Sequence, residues 1–320
     1  MDCIGNILRV DGTNCLIYYE GNIHRAYLKK RIRGAHPEEV KPITVGDYVV
    51  FEKRGEQECL LKEVLPRKTW LIRKAVGKPG KRQVVVANVE QILILSSIAM
   101  PPFHPGIIDR FLVAAGKGKL KPIIVVNKWD LHQQEPSWME IQEMLAIYAQ
   151  LQYPVFLTSI FEPSTLQPVH EVLQGHSTVL AGHSGVGKSS LLSAIDPSIQ
   201  LKTNDVNPKS QKGRHTTTSV SIFPIVGGGF VVDTPGIREF TLWQMYPWEL
   251  SRYFPEIAQY ASQCKYKKCT HTHEPDCAVK IALEECHIAD FRYQSYCRIL
   301  DSILHPDDVA FAEDDDEDAG

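Results

Sequence analysis

The sequence predicts an α/β protein in which a mostly parallel sheet is preceded by a small β barrel and followed by a mainly helical, cysteine-bearing domain. Residues 1–70 fall into short strands broken by turn signals, and from Gln83 onward apolar strands alternate with helical stretches. Beyond Phe240 the pattern turns helical, and four of the eight cysteines gather between Cys264 and Cys286. A chain of 320 residues exceeds one typical domain. The expected divisions are a barrel at 1–70, an α/β domain at 71–240 with 71–82 as a basic linker, a helical domain at 241–310 and an acidic tail at 311–320.

In the first domain, strands are expected at 15–19, 24–28, 47–53 and 59–64, and about five such short strands close most simply into a barrel. Lys29, Lys30, Arg31 and Arg33 cluster beside Tyr27, and residues 68–82 add six basic residues without an acid. Lys and Arg neutralise phosphates and release counterions, so the region fits a nucleic-acid groove. It would also make an ordinary solvated surface, and charge alone leaves both readings open. The net charge of −3 conceals the asymmetry: residues 1–82 hold 17 Lys+Arg against 10 Asp+Glu, a net +7, leaving −10 for the remainder.

In the α/β domain, buried strands are expected at 84–87, 91–96, 122–127, 155–159, 177–181 and 229–233, with helices at 108–116, 139–151 and 189–195. Segments 219–226 and 230–233, joined by Gly227-Gly228-Gly229, form a hairpin pattern. The motifs sit at strand ends. Gly182-His183-Ser184-Gly185-Val186-Gly187-Lys188-Ser189, followed by Ser190, lies between a strand and a helix and fits the phosphate-loop pattern. Its glycines let backbone N–H groups curl around phosphates, Lys188 reaches the β and γ oxygens, and Ser189 can ligate Mg²⁺.

Asn127-Lys128-Trp129-Asp130 closes the strand at 122–126. Asp130 can accept hydrogen bonds from guanine N1–H and its exocyclic amine, whereas adenine would leave the carboxylate facing the wrong partners. Thr158-Ser159 at the next strand end matches the segment that supports the base. Asp233-Thr234-Pro235-Gly236 ends another strand, where the aspartate can hold Mg²⁺ through water and the Gly236 amide can sense the γ phosphate. Between them, Lys212-Gly213-Arg214-His215-Thr216-Thr217-Thr218 suits a mobile switch that supplies a Mg²⁺-binding threonine; the sequence does not decide among the three, and Thr217 is preferred. Ile237 follows Gly236 where many GTPases place a glutamine that orients water, so a polar group must come from a partner or from a mobile segment, and His215 is the best candidate in this chain.

The motif order is base, phosphate loop, switch, aspartate, whereas an ordinary GTPase has its base motif last. Circular permutation explains this, because domain termini close in space can be joined and the chain cut elsewhere. The expectation is therefore a circularly permuted P-loop GTPase domain. In the C-terminal region, Cys264, Cys269, His271 and Cys277 are spaced Cys-x4-Cys-x-His-x5-Cys. Three thiolates and an imidazole make a closed tetrahedral zinc site with no water position, hence structural. His273, Cys286 and Cys297 are alternative ligands.

Hydrophobic content of 43% and charged content of 23% are ordinary globular values, and no apolar run approaches the roughly 18 residues of a membrane span. The first ten residues lack the basic flank, apolar stretch and cleavage site of a signal peptide. The expected location is the cytoplasm, without a membrane, where clustered cysteines point to metal and not to disulfides. Glu313-Asp314-Asp315-Asp316-Glu317-Asp318 is expected to be a disordered tail.

On these motifs the sequence resembles the circularly permuted GTPase family of small ribosomal subunit biogenesis, RsgA. The resemblance spans the barrel, 127–130, 182–190, 213–218, 233–236 and the Cys264, Cys269, His271, Cys277 cluster. It implies that the barrel is an OB fold, that the cluster binds one structural Zn²⁺, and that Mg²⁺ accompanies GTP. It also implies engagement of the 30S subunit and its 16S rRNA late in maturation, with slow hydrolysis stimulated by the subunit; a monomer is the expected state. The basic residues Lys29, Lys30, Arg31 and Arg33 then become rRNA contacts. A non-enzymatic RNA-binding checkpoint is disfavoured by the intact Lys188, Ser189 and Asp233, and an ATP-using metabolic kinase by Asp130. The acidic tail is not part of the resemblance.

Overall fold

The computed structural model describes residues 2–34, 36–55, 58–75, 81–197, 199, 220–233 and 245–305. Strands β1 (Asp2–Asp11), β2 (Asn14–Tyr19), β3 (Asn22–Arg33), β4 (Tyr48–Lys53) and β5 (Glu58–Val64) close a barrel in the order β1-β2-β3-β5-β4. Their two-residue alternation sends Ile7, Ile17, Ala26, Val49, Phe51 and Leu61 inward, where each is fully buried, and leaves Tyr18, Tyr27 and Tyr48 in solvent. Only the β3–β5 pairing is parallel.

The next two strands correct an expectation. The run at 84–87 was placed in the parallel sheet, but β7 (Arg82–Ala87) pairs antiparallel with β6 (Trp70–Lys74) in a separate two-stranded ribbon. Residues 71–74 and 82 of the stretch expected as a basic linker are therefore strand. The physical reason is that Leu71 and Val86, both buried, give the ribbon its own apolar face against the main core. The barrel rests on this ribbon. Thr44 Oγ1 lies 3.1 Å from the Val84 carbonyl and 3.0 Å from that of Val85. A Cβ at Gly46, whose φ is +86°, would stand 1.9 Å from Ala87 O, so the backbones meet with no room for a side chain. Arg67 forks onto Asp47 at 2.6 and 2.9 Å and reaches Glu39 at 2.7 Å, while Arg82 reaches Glu39 at 3.2 Å. Burial pushes the Asp47 carboxyl up, against the pull of Arg67.

The central sheet contains β8 (Gln91–Ser97), β9 (Lys121–Asn127), β10 (Val155–Leu157), β11 (Ser177–Gly182), β12 (Ser221–Pro224) and β13 (Phe230–Asp233), in the order β10-β9-β8-β11-β13-β12. All neighbours run parallel except β12, which forms the expected antiparallel hairpin with β13. Gly227, Gly228 and Gly229 make its turn at φ of +93°, +94° and +86°. Because both faces are covered, the strands are continuous apolar runs whose alternate residues enter different cores. Ile92, Ile94, Ile124 and Val126 join the core containing α1 (Pro105–Gly118) and residues of α2 (Trp138–Gln150). Leu93, Leu95, Ile123 and Val125 join the core of α3 (Gln167–Leu173) and α4 (Lys188–Ile195).

The first of these cores continues without a break into the C-terminal helices α5 (Pro255–Ala261), α6 (Ala278–Glu284) and α7 (Asp290–Leu304), through Ile257, Val279, Tyr296, Ile299 and Leu300. One ionic cluster crosses this seam. Arg292 of α7, 1% exposed, pairs with Asp109 of α1 and, at 2.6 Å, with Glu256 of α5. Tyr148 of α2 donates to Asp109 at 2.6 Å. The guanidinium lies 5.2 Å from the Tyr148 ring centroid and 4.6 Å from that of Phe254. Among the described residues no helix is long and apolar enough to cross a membrane. The acidic tail lies outside the described residues.

Candidate nucleotide and metal sites

The parallel strands deliver their carboxyl ends to one edge, the usual ligand edge of an open α/β sheet. β9 ends in Asn127, β11 in Gly182 and β13 in Asp233. Asn127, 3% exposed, accepts from the Thr158 hydroxyl at 3.2 Å and donates its amide to Val186 O at 3.0 Å. One side chain thus ties the base motif to the phosphate loop. Gly187 leaves room for it, since a Cβ there would lie 2.5 Å from Asn127 Nδ2, at a φ of +92°.

Lys128 stands at φ +62° and donates to Met100 O. The Trp129 amide donates to Thr158 O at 3.0 Å, while its indole stacks on His132 at 4.1 Å and meets Trp138 edge-on. Its ring is thus packed within its own segment. Ser159 donates its hydroxyl to Asp130 at 2.5 Å and accepts from the Phe161 amide at 3.1 Å. The Ser159 amide in turn donates to Thr165 Oγ1 at 3.0 Å. Sequence reasoning missed Thr165; an isolated threonine six residues past a strand end carries no pattern.

In the phosphate loop, Gly182 adopts φ +144° against Leu95 O, 2.3 Å from where a Cβ would be, and Gly185 adopts +80°. The loop needs glycine at these places because the chain turns through the left-handed region. Lys188 Nζ lies 2.7 Å from both Gly182 O and His183 O, which holds the ammonium inside the loop's curve. His183, Ser184 and Ser190 are exposed, Val186 is buried, and Ser189 is the second residue of α4. Asp233 ends the strand next to β11 on the same side of the sheet. His215, Thr217 and Gly236 lie outside the described residues. Lys29, Lys30 and Arg31 lie on β3, and Arg33 at its end pairs with Glu63 at 3.3 Å.

The four predicted metal ligands do converge. Their ligand atoms lie within 4.8 Å of one another, and Cys269, His271 and Cys277 are buried. Cys277 Sγ is 3.8 Å from the sulfurs of Cys264 and Cys269, and His271 Nδ1 is 3.5 Å from those of Cys264 and Cys277. Tetrahedral zinc with bonds of about 2.3 Å to sulfur and about 2.0 Å to nitrogen requires edges of about 3.8 and 3.5 Å. Four of the six edges match these values and all the ligand atoms lie within 4.8 Å, so the cluster could hold such an ion. Burial pushes the Cys269 thiol up to about 12, so a cation is needed to hold it as thiolate near neutral pH. His271 sits at φ +63° in a loop fixed from outside. Glu274 accepts from the Thr270 and Thr272 amides at 2.6 and 3.1 Å, and Tyr293 and Tyr296 of α7 donate to the carbonyls of His271 and Thr270 at 2.7 and 2.9 Å. These supports were not visible in the ligand spacing.

A family model described as RsgA GTPase matches residues 64–243. The small ribosomal subunit biogenesis GTPase RsgA of Halalkalibacterium halodurans is 40% identical over 264 residues, covering 82% of this chain and 85% of that protein. The chain belongs to the RsgA GTPase family. The RsgA of Phocaeicola vulgatus is 35% identical over 298 residues, 93% of this chain and 96% of its own. Two solved structures are similar over nearly their full lengths. YjeQ from Thermotoga maritima has a TM-score of 0.76 at 33% identity, with 95% of this chain and 99% of that one covered. YloQ, described as a circularly permuted GTPase, has a TM-score of 0.71 at 30% identity, with 96% of each covered. The permuted fold expected from motif order is that of these RsgA relatives, and this RsgA family member is a GTP hydrolase.

Proposed function

We propose that this GTPase is an assembly factor that binds the 30S subunit through rRNA late in maturation and leaves after hydrolysis. The observation that carries the reading is the Asn127 side chain, which joins the Thr158 hydroxyl to Val186 and so makes one site of the base motif and the phosphate loop. Asp130, braced by Ser159, would accept from the guanine N1–H and amine. Lys188 and the loop amides would take the phosphates. The relatives named small ribosomal subunit biogenesis GTPase support the choice of partner.

Ser189, Thr217 and Asp233 would hold Mg²⁺, which takes oxygen donors of this kind and neutralises developing phosphate charge when bound. Ser189 lies beyond the end of β11 and Asp233 ends the neighbouring parallel strand β13, which supports their sharing one ion. Zn²⁺ would be held by Cys264, Cys269, His271 and Cys277 as a structural ion. The basic strand end with Lys29, Lys30, Arg31 and Arg33 would meet rRNA phosphates, and the site of action is the cytoplasm. The Gly236 amide would sense the γ phosphate, and His215 would orient water when the subunit is bound.

Phosphate release measured with and without purified 30S subunits tests the proposal. Stimulation by 30S and not by 50S is expected, and equal rates in all three conditions would overturn it. His215→Ala should keep GTP and subunit binding but lose most of the stimulated rate, while near-normal stimulation would move the catalytic group elsewhere.

A further inference from the structure

Among the described residues the two most exposed large apolar side chains are Phe161, at 76%, and Met100, at 69%. A solitary exposed apolar residue means little, since much of any protein surface is apolar. These two share an address. Met100 O accepts from Lys128, and the Phe161 amide donates to the Ser159 hydroxyl that also holds Asp130. Each is therefore one hydrogen bond or one bridging hydroxyl away from a side chain of the base motif, one at either end of Lys128-Trp129-Asp130.

The turn that carries Phe161 is built to stay in place. Glu162 N donates to Ser159 O at 3.1 Å, Thr165 N donates to Glu162 O at 2.9 Å, and the Thr165 hydroxyl accepts from the Ser159 amide. A fixed backbone with an uncovered ring loses little entropy when something flat covers it. Trp129, the aromatic nearest the base motif in sequence, is already engaged with His132 and Trp138. Phe161 is the aromatic ring left over at this edge.

We propose that Phe161 stacks on the guanine of bound nucleotide, with Met100 lining the same base pocket from the Lys128 side. The proposal rests on reading 127–130 as the base motif. Stacking and edge recognition divide the work: Asp130 selects the hydrogen-bonding edge, and Phe161 adds affinity for the flat face of any purine.

The test uses the full chain and calorimetric titration with GDP, XDP and ADP. Base–aromatic stacking predicts that Phe161→Ala weakens GDP binding by about tenfold, with Met100→Ala costing about threefold. Phe161→Trp should bind GDP like the native chain, and its emission should be quenched by GDP well beyond the change in the native protein. Asp130→Asn should exchange GDP for XDP preference, and adding Phe161→Ala to it should weaken XDP by the same factor as it weakens GDP in the native background. GDP affinity within twofold of native in Phe161→Ala, or an unquenched tryptophan in Phe161→Trp, would overturn the stacking role. If Asp130→Asn left base preference unchanged, the base-motif reading would fail instead, and the two failures are separately visible.

Discussion

Replacing Arg292 with methionine isolates the ionic cluster that joins the GTPase domain to the C-terminal helices. The guanidinium pairs with Asp109 and Glu256 at essentially zero exposure, so Arg292→Met removes the cation that faces these two buried carboxylates while retaining much of the side-chain volume. Breaking a buried pair by removing one partner costs about 3–5 kcal/mol, because the surviving charge has neither solvent nor partner. For a domain of this size that corresponds to roughly 6–20 °C in melting temperature. Burial already pushes the Asp109 carboxyl up despite Arg292, and removal of the cation pushes it further. A carboxyl raised in the folded state contributes stability when protonated and loses it as pH rises through its folded value. The deficit of Arg292→Met is therefore expected to be smaller near about pH 5 than near about pH 8. Calorimetric melting at both pH values measures it. Adding Asp109→Asn and Glu256→Gln should recover part of the loss, since the harm lies in the stranded charges. A melting temperature within about 2 °C of native at pH 8, or a triple variant no better than Arg292→Met, would refute the account.

Three further outcomes are expected. Gly187→Ala places a Cβ 2.5 Å from Asn127 Nδ2 at a positive φ, so GDP affinity should fall at least about tenfold with the fold intact, and native affinity would contradict the role of the Asn127–Val186 tie. Asp130→Asn should gain xanthosine triphosphate binding as it loses GTP, read by competition; GTP affinity left unchanged would remove Asp130 from the base site. Native protein should carry one zinc per chain by elemental analysis, lost or loosened in Cys269→Ser, and metal-free native protein would refute the zinc assignment.

Much of this molecule is legible in its sequence because the relevant signals are local. The barrel strands follow a two-residue alternation, the phosphate loop is a contiguous string between a strand and a helix, and the metal ligands come from one 14-residue stretch. What was hidden depends on distant partners. Arg292 sits in the polar-looking run Asp290-Phe291-Arg292-Tyr293, and only the fold shows that its partners lie at Asp109 and Glu256. Val84, Val85 and Val86 are apolar enough for a central strand, and periodicity cannot say that Trp70–Lys74 claims them first. Phe161 and Thr165 gain meaning only through the Ser159 hydroxyl and amide, which no spacing rule announces.

The permuted order also decides where the protein is mechanically connected. The chain enters the central sheet from the ribbon through β8 and leaves it toward the C-terminal domain through β13, and these two strands flank β11 on either side. Both appended domains are therefore joined to the middle of the sheet. A displacement of the barrel reaches the phosphate-loop strand through the five paired positions from Gln91 to Leu95, and one of the helical domain through those of Phe230, Val231 and Val232. Each of these strands is a direct neighbour of the strand that leads into the phosphate loop, so the connections to both appended domains lie beside the nucleotide site.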